Sequence, residues 1–234
     1  MQDFLVSLIN NRTLLFYLLL GIALLLTRIP VIGKYFRSVN TMIHEAGHAF
    51  MTLLVSGEVI AVNLFADTSG NTVTKAKNKF LQVLIALSGY PASALSGLLF
   101  LFLLSKGYHL YILFALVSLT LLLMVLSIRN SYGMFWAGTF TLINLLLIYF
   151  NNANWIYLAS TFFSLIILVD SVLSSFVLLA ISIKTPKKAG DASNLEKFTR
   201  IPAVAWSVLL LAFSGYLAYL SIIYYFPPIN GILN

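Results

Sequence analysis

The chain has 234 residues, of which 60% are hydrophobic and 9% charged, and its net charge is +7; its mean hydropathy is +0.96. Roughly a quarter of the residues of a soluble domain are charged, so a soluble globular fold is excluded. The basic surplus lies in short loops between apolar runs, which points to membrane orientation and anionic headgroups rather than nucleic acid. There is no cysteine, which removes both a disulfide framework and a thiolate metal site.

Crossing a bilayer takes about 20 apolar residues, and the chain supplies such runs repeatedly. The first is expected over 13–29. It reads as a retained span, because Asp3 spoils a basic leader and no A-x-A-like site separates Leu26 from Arg28. A short basic link with Lys34 and Arg37 leads to a helix over about 40–56, capped by Asn40 or Thr41 and closed by Gly57. Apolar and β-branched runs then flank Asp67-Thr68-Ser69-Gly70, which predicts a β-hairpin over 58–74.

Further spans are expected at about 80–104, 110–128, 133–150 and 154–183. Residues 184–200 form a polar loop with an S-x-x-E capping box at Ser193 and Glu196. Pro202 suits the first turn of a last helix over 202–226, and Pro227 and Pro228 stop it. The fold class is therefore an all-α polytopic membrane protein. It has about six transmembrane helices, a short membrane helix and a small β-hairpin, with residues 1–234 forming a single domain without repeats. If the short helix dips in and returns, one side holds twelve of the fourteen Lys and Arg, leaving Arg12 and Lys106 opposite. That split favours an N-terminus outside and a site reached from the cytoplasm.

The short helix carries His44-Glu45-Ala46-Gly47-His48, an H-E-x-x-H pentad. Residues four apart share one helix face, so both imidazoles can hold one metal ion. Glu45 then lies beside the open coordination position, where it can take a proton from an attacking water. With three His and three Glu in the chain, a chance pentad is expected on the order of once in two thousand such chains.

A catalytic zinc commonly has three protein ligands. The remaining histidine, His109, falls in a short turn between spans, which leaves the carboxylates Asp3, Glu58, Asp67, Asp170, Asp191 and Glu196. Asp170 is the first choice, because an ionisable group in mid-span is a functional hypothesis by default and a metal would supply the compensating charge. Asp191, in the polar loop, is the alternative. Two stripes read as helix contacts: Gly89, Ser93 and Gly97 on one span, and Ser160, Ser164, Ser171, Ser175 and Ser182 on the span of Asp170. Asn130, at the start of a span, reads as a loop cap, with a substrate or ligand contact as the alternative.

Together these residues resemble the site-2 protease family of intramembrane zinc metalloproteases. The likeness is to the compact bacterial branch with H-E-x-G-H, an A-G-Y-like span, R-N-x-x-G and S-D-A stretches. The corresponding residues are His44 to His48, Ser88-Gly89-Tyr90, Arg129-Asn130-Ser131-Tyr132-Gly133 and Gly190-Asp191-Ala192. The family commonly draws its third ligand from an Asp-Gly pair after an Asn and a Pro. Here Ser131-Tyr132-Gly133 follows Asn130 and holds no Asp.

The resemblance implies a zinc metallopeptidase, multi-pass in a bacterial cell membrane, that hydrolyses membrane-embedded or membrane-proximal protein or peptide substrates. His44 and His48 would bind zinc and Glu45 would activate water. The hairpin would hold an unwound substrate segment as an added strand. Two other classes fit the same composition: a transporter or channel using the intramembrane carboxylate, and an inactive membrane adaptor that keeps the metal site.

Overall fold

A computed structural model describes residues 11–27 and 29–232; Asp3 and Arg28 lie outside the described residues. Eight α-helices and one hairpin follow each other among them: α1 (Arg12–Leu26), α2 (Ile32–Leu54), β1 (Glu58–Leu64), β2 (Gly70–Lys75), α3 (Lys79–Ser105), α4 (His109–Leu126), α5 (Ser131–Phe150), α6 (Ala153–Lys184), α7 (Gly190–Thr199) and α8 (Ala203–Tyr225). Helices α3, α4, α5, α6 and α8 are each long and apolar enough to cross a membrane, and α1 is a shorter apolar helix. The protein is thus an all-α polytopic membrane protein with a small antiparallel hairpin.

Asparagines punctuate the helices. The side chains of Asn11, Asn78 and Asn152 accept from the first-turn amides of α1, α3 and α6, at 2.9 Å for Leu14 N, 3.0 Å for Leu81 N and 3.0 Å for Asn154 N. Asn151 ends α5 in the left-handed region at φ 46°, directly before the Asn152 cap. These side chains satisfy backbone donors that a helix start leaves free.

Helix α2 is longer than the sequence suggests. It begins at Ile32 rather than near residue 40, so Asn40 and Thr41 lie inside it and cap nothing. The turn out of α1 is tight because Gly33 sits against the carbonyl oxygen of Leu26, where a Cβ would collide. Lys34, Arg37, His44, Glu45 and His48 keep α2 less apolar than its neighbours. The capping box is also used differently. Helix α7 starts at Gly190, and Ser193 turns back to donate to Pro186 O at 2.6 Å. Glu196 accepts from Ala203 N at 3.2 Å, tying α7 to the start of α8.

Packing depends on small residues, as it must where lipid offers no hydrophobic gain for helix association. Gly47 of α2 faces Ala92, Ser88 and Gly89 of α3, and Gly97 lies against the backbone of Leu168 on α6. The serine stripe of α6 meets α8 through Ser175–Ser214 at 3.0 Å and Ser182–Ser207 at 2.5 Å. Trp136 stacks on Phe140 at 5.0 Å in the buried cluster that α2, the hairpin, α4, α5 and α6 share. Large apolar side chains such as Leu142, Tyr149, Leu209 and Ile222 remain exposed on the outside, the surface a bilayer covers.

Candidate metal centre

The pentad lies mid-helix on α2, against α3. Each imidazole meets a position on α3 where no side chain fits: a Cβ on Gly89 would stand 2.5 Å from His48 Nε2 and 2.6 Å from His44 Nε2. The Nε2 atoms of His44 and His48 are 3.1 Å apart. His48 Nδ1–H donates to Ile85 O at 2.6 Å, which turns Nε2 toward His44 and Asp191. The Tyr90 and His44 rings pack edge to face at 4.6 Å between centroids.

Asp191, in the first turn of α7, closes the group. Its Oδ2 lies 3.1 Å from His44 Nε2 and 3.2 Å from His48 Nε2. Ala189 and Ala192, packed beneath α7 with Leu178 and Ala203, hold it there. Burial works to raise the Asp191 pKa. The His48 charge and the hydrogen bonds to both imidazoles outweigh it and keep the carboxyl well below the usual range. Among the described residues, His44, His48 and Asp191 are the group of metal-ligating side chains that clusters, each offering one atom within 4.8 Å of the others.

The donor set fits a tetrahedral ion. Three donors bonded at about 2.0–2.1 Å to such an ion stand about 3.3–3.4 Å apart, and the edges here are 3.1, 3.1 and 3.2 Å. Two imidazoles and a carboxylate are ligands that zinc accepts.

Asp170, the first choice in the sequence for the third position, is not among the clustered atoms. Its Oδ1 accepts from Arg37 Nε at 2.6 Å and its Oδ2 from Asn40 Nδ2 at 3.2 Å. The charge that a mid-span carboxylate requires thus comes from an arginine on α2. Arg37 is seven residues before His44, about 10 Å along the helix axis, and the Asp170 oxygens are taken by Arg37 and Asn40 rather than joining the imidazoles.

The other carboxylates are engaged elsewhere. Glu58 pairs with Lys75 at 3.4 Å, and Asp67 accepts from Ser69 in the hairpin turn, which lowers its pKa. His109 packs on Tyr157 at 5.0 Å, away from the pentad.

Glu45 is 4% exposed and faces the hairpin. Thr72 Oγ1 donates to Glu45 Oε2 at 2.6 Å, and Gly70 lies against the same carboxylate. Asn130 is not a side-chain cap: its amide grips β1, donating to Leu64 O at 2.5 Å and accepting from Leu64 N at 3.1 Å. Val62 bonds Ser127 O and Arg129 N beside it, so residues 127–130 cover one edge of β1 and β2 covers the other. A cavity of about 820 Å³ opens onto His44, Glu45, Thr72, Tyr90, Asp170 and Asp191. Thr72 escaped the sequence reading, and Tyr90 entered it only as part of the Ser88-Gly89-Tyr90 stretch, without a role of its own. The alternation of Asn71, Thr72, Val73 and Thr74 held the signal for Thr72, and the glycine beside Tyr90 held that for the ring.

A bundle of apolar helices around a His-His-carboxylate group is an arrangement that a membrane-embedded metallopeptidase can use. The chain matches the family model described as Peptidase M50B-like over residues 17–221 and belongs to that family, the site-2 proteases. Family membership supports a metal-dependent peptidase in a membrane environment. No curated protein and no solved structure matches it.

Proposed function

We propose that the chain is a zinc-dependent intramembrane peptidase in which His44, His48 and Asp191 hold the ion and Glu45 is the general base. The observation that carries this reading is the triangle of Nε2, Nε2 and Oδ2 atoms on the wall of a cavity shared with Glu45. A zinc ion held there supplies Lewis acidity toward a water and a peptide carbonyl. Glu45 takes the proton of the attacking water and passes it to the leaving amine. Its burial fits the role, because a carboxylate away from bulk water competes better for that proton.

The whole chain acts as one unit, since α2, the hairpin, α3 and the loop holding α7 all contribute to the site. The substrate is a membrane-embedded or membrane-proximal protein segment, unwound and laid along the hairpin. Both edges of β1 are occupied, so the open edge is on β2, whose Asn71, Thr72 and Thr74 line the cavity. Strand addition there gives the substrate main-chain hydrogen bonds and an extended form. The likeness of the motifs to the compact bacterial branch supports a location in a bacterial cell membrane.

The test uses protein purified in detergent, its zinc content measured, and fluorogenic peptides spanning one apolar helix. Wild type and Glu45→Gln should both carry zinc, and only wild type should cleave. Equal cleavage by both proteins contradicts the reading. Zinc with no cleavage in either points to an adaptor, and a substrate flux that depends on Asp170 points to a transporter.

A further inference from the structure

We propose that Thr72 is a positioning residue for Glu45, so that the hairpin fixes the general base as well as offering a strand edge. The inference rests on the reading of Glu45 as that base. A glutamate on a helix has three side-chain torsions, and no residue of α2 bonds its carboxylate. The restraint comes from β2. Thr72 Oγ1 stands 2.6 Å from Glu45 Oε2 and 3.2 Å from the Glu45 carbonyl oxygen. A hydroxyl has one proton to give, and the shorter, charge-assisted bond to the carboxylate takes it.

The hydroxyl is itself well fixed. Threonine is stiff at χ1, and strand alternation turns Thr72 inward between exposed Asn71 and Val73. The hairpin is anchored at its tip, where Thr41 Oγ1 donates to Thr68 O at 2.9 Å, and behind β1 by the Asn130 clamp on Leu64. Gly70 completes the fit. A Cβ there would collide with Oε1, Cγ and Cδ of Glu45, so glycine leaves Oε1 free to receive a proton while Oε2 is held. The arrangement ties the base on α2 to the strand that carries the open edge, so a substrate strand added to β2 lies in fixed register with Glu45.

Two substitutions separate the hydroxyl from the shape of the side chain. Thr72→Val keeps the shape and removes the donor, whereas Thr72→Ser keeps the donor. On a peptide that wild type cleaves, Thr72→Val should lower kcat by about 10- to 100-fold, the scale of a misplaced catalytic group. Its KM and zinc content should stay within about twofold of wild type, a change that carries little free energy. Thr72→Ser should recover most of kcat.

A second readout needs no turnover. In a melting-temperature cycle of Thr72→Val with Glu45→Leu, the shifts should be non-additive, as for residues in contact. Wild-type kcat in Thr72→Val, equal loss in Thr72→Ser, or additive melting shifts would each overturn the proposal. A wild type that cleaves nothing contradicts the peptidase reading instead, and the melting cycle then decides the contact.

Discussion

Asp191 Oδ2 stands 3.1 Å from His44 Nε2 although 147 residues separate them in sequence. Helix α2 brings the two imidazoles to one face by spacing alone. The carboxylate arrives from a ten-residue helix in the polar loop before the last span. One local motif and one distant residue therefore make the donor set, and they can be probed separately.

Removing the base should leave the ion in place. Glu45 is 4% exposed and its side chain is absent from the clustered donors. Glu45→Gln should retain zinc and lose about 100- to 10,000-fold in turnover, the usual range for a general base. Zinc analysis and peptide cleavage on the same preparation check both halves.

Gly89 should tolerate no side chain. Its Cβ would stand 2.5 Å from His48 Nε2, and both imidazoles are backed by Tyr90, Ile85 and Asp191. Gly89→Ala should lower zinc content and turnover together. Gly215→Ala on α8 has nothing within 4 Å of the added Cβ and should change neither.

The Arg37–Asp170 pair should behave as a structural pair. The Asp170 side chain is 3% exposed and that of Arg37 is 27% exposed. Asp170→Leu should destabilise the fold by about 1–3 kcal/mol, less than for a fully buried pair because water partly screens Arg37. Adding Arg37→Met should recover part of that loss, since no charge is then left unpaired. Thermal unfolding in detergent gives the comparison.

The spans were legible because the apolar runs are bounded by residues with a physical reason to start or stop a helix: Asn78, Lys106, Asn151, Pro202 and Pro227. The pentad was legible because its spacing is local. The proposed third ligand, Asp191, was legible only as the alternative to Asp170, through the Gly190-Asp191-Ala192 stretch. Asp170 attracts attention because a mid-span carboxylate needs a compensating charge, and the sequence suggests a metal. The structure supplies Arg37, and the hint was present: Arg37, Asn40, His44 and His48 form one stripe along α2 at helical spacing. An acid facing the upper part of that stripe meets the arginine and the amide before it meets the imidazoles. Asp191 lies in a polar loop whose return over the site depends on the packing of α7 against α3, α6 and α8. No local pattern encodes that packing. The same holds for Asn130, which looked like a helix cap and instead braces β1.

Chelation should expose how much the site depends on its ion. An ion held by the three converging donors binds the folded state, so zinc removal should lower the melting temperature of wild type by mass action. The shift should be absent in Asp191→Asn, which has already lost a ligand. Melting with and without a chelator, followed by zinc restoration, makes the check.

The ligand assignment itself is tested most directly by the zinc content of purified Asp191→Asn and Asp170→Asn beside wild type. Wild type and Asp170→Asn should each carry about one zinc per chain, as one three-ligand site requires, and Asp191→Asn should carry little. Full zinc in Asp191→Asn with loss in Asp170→Asn would contradict the account.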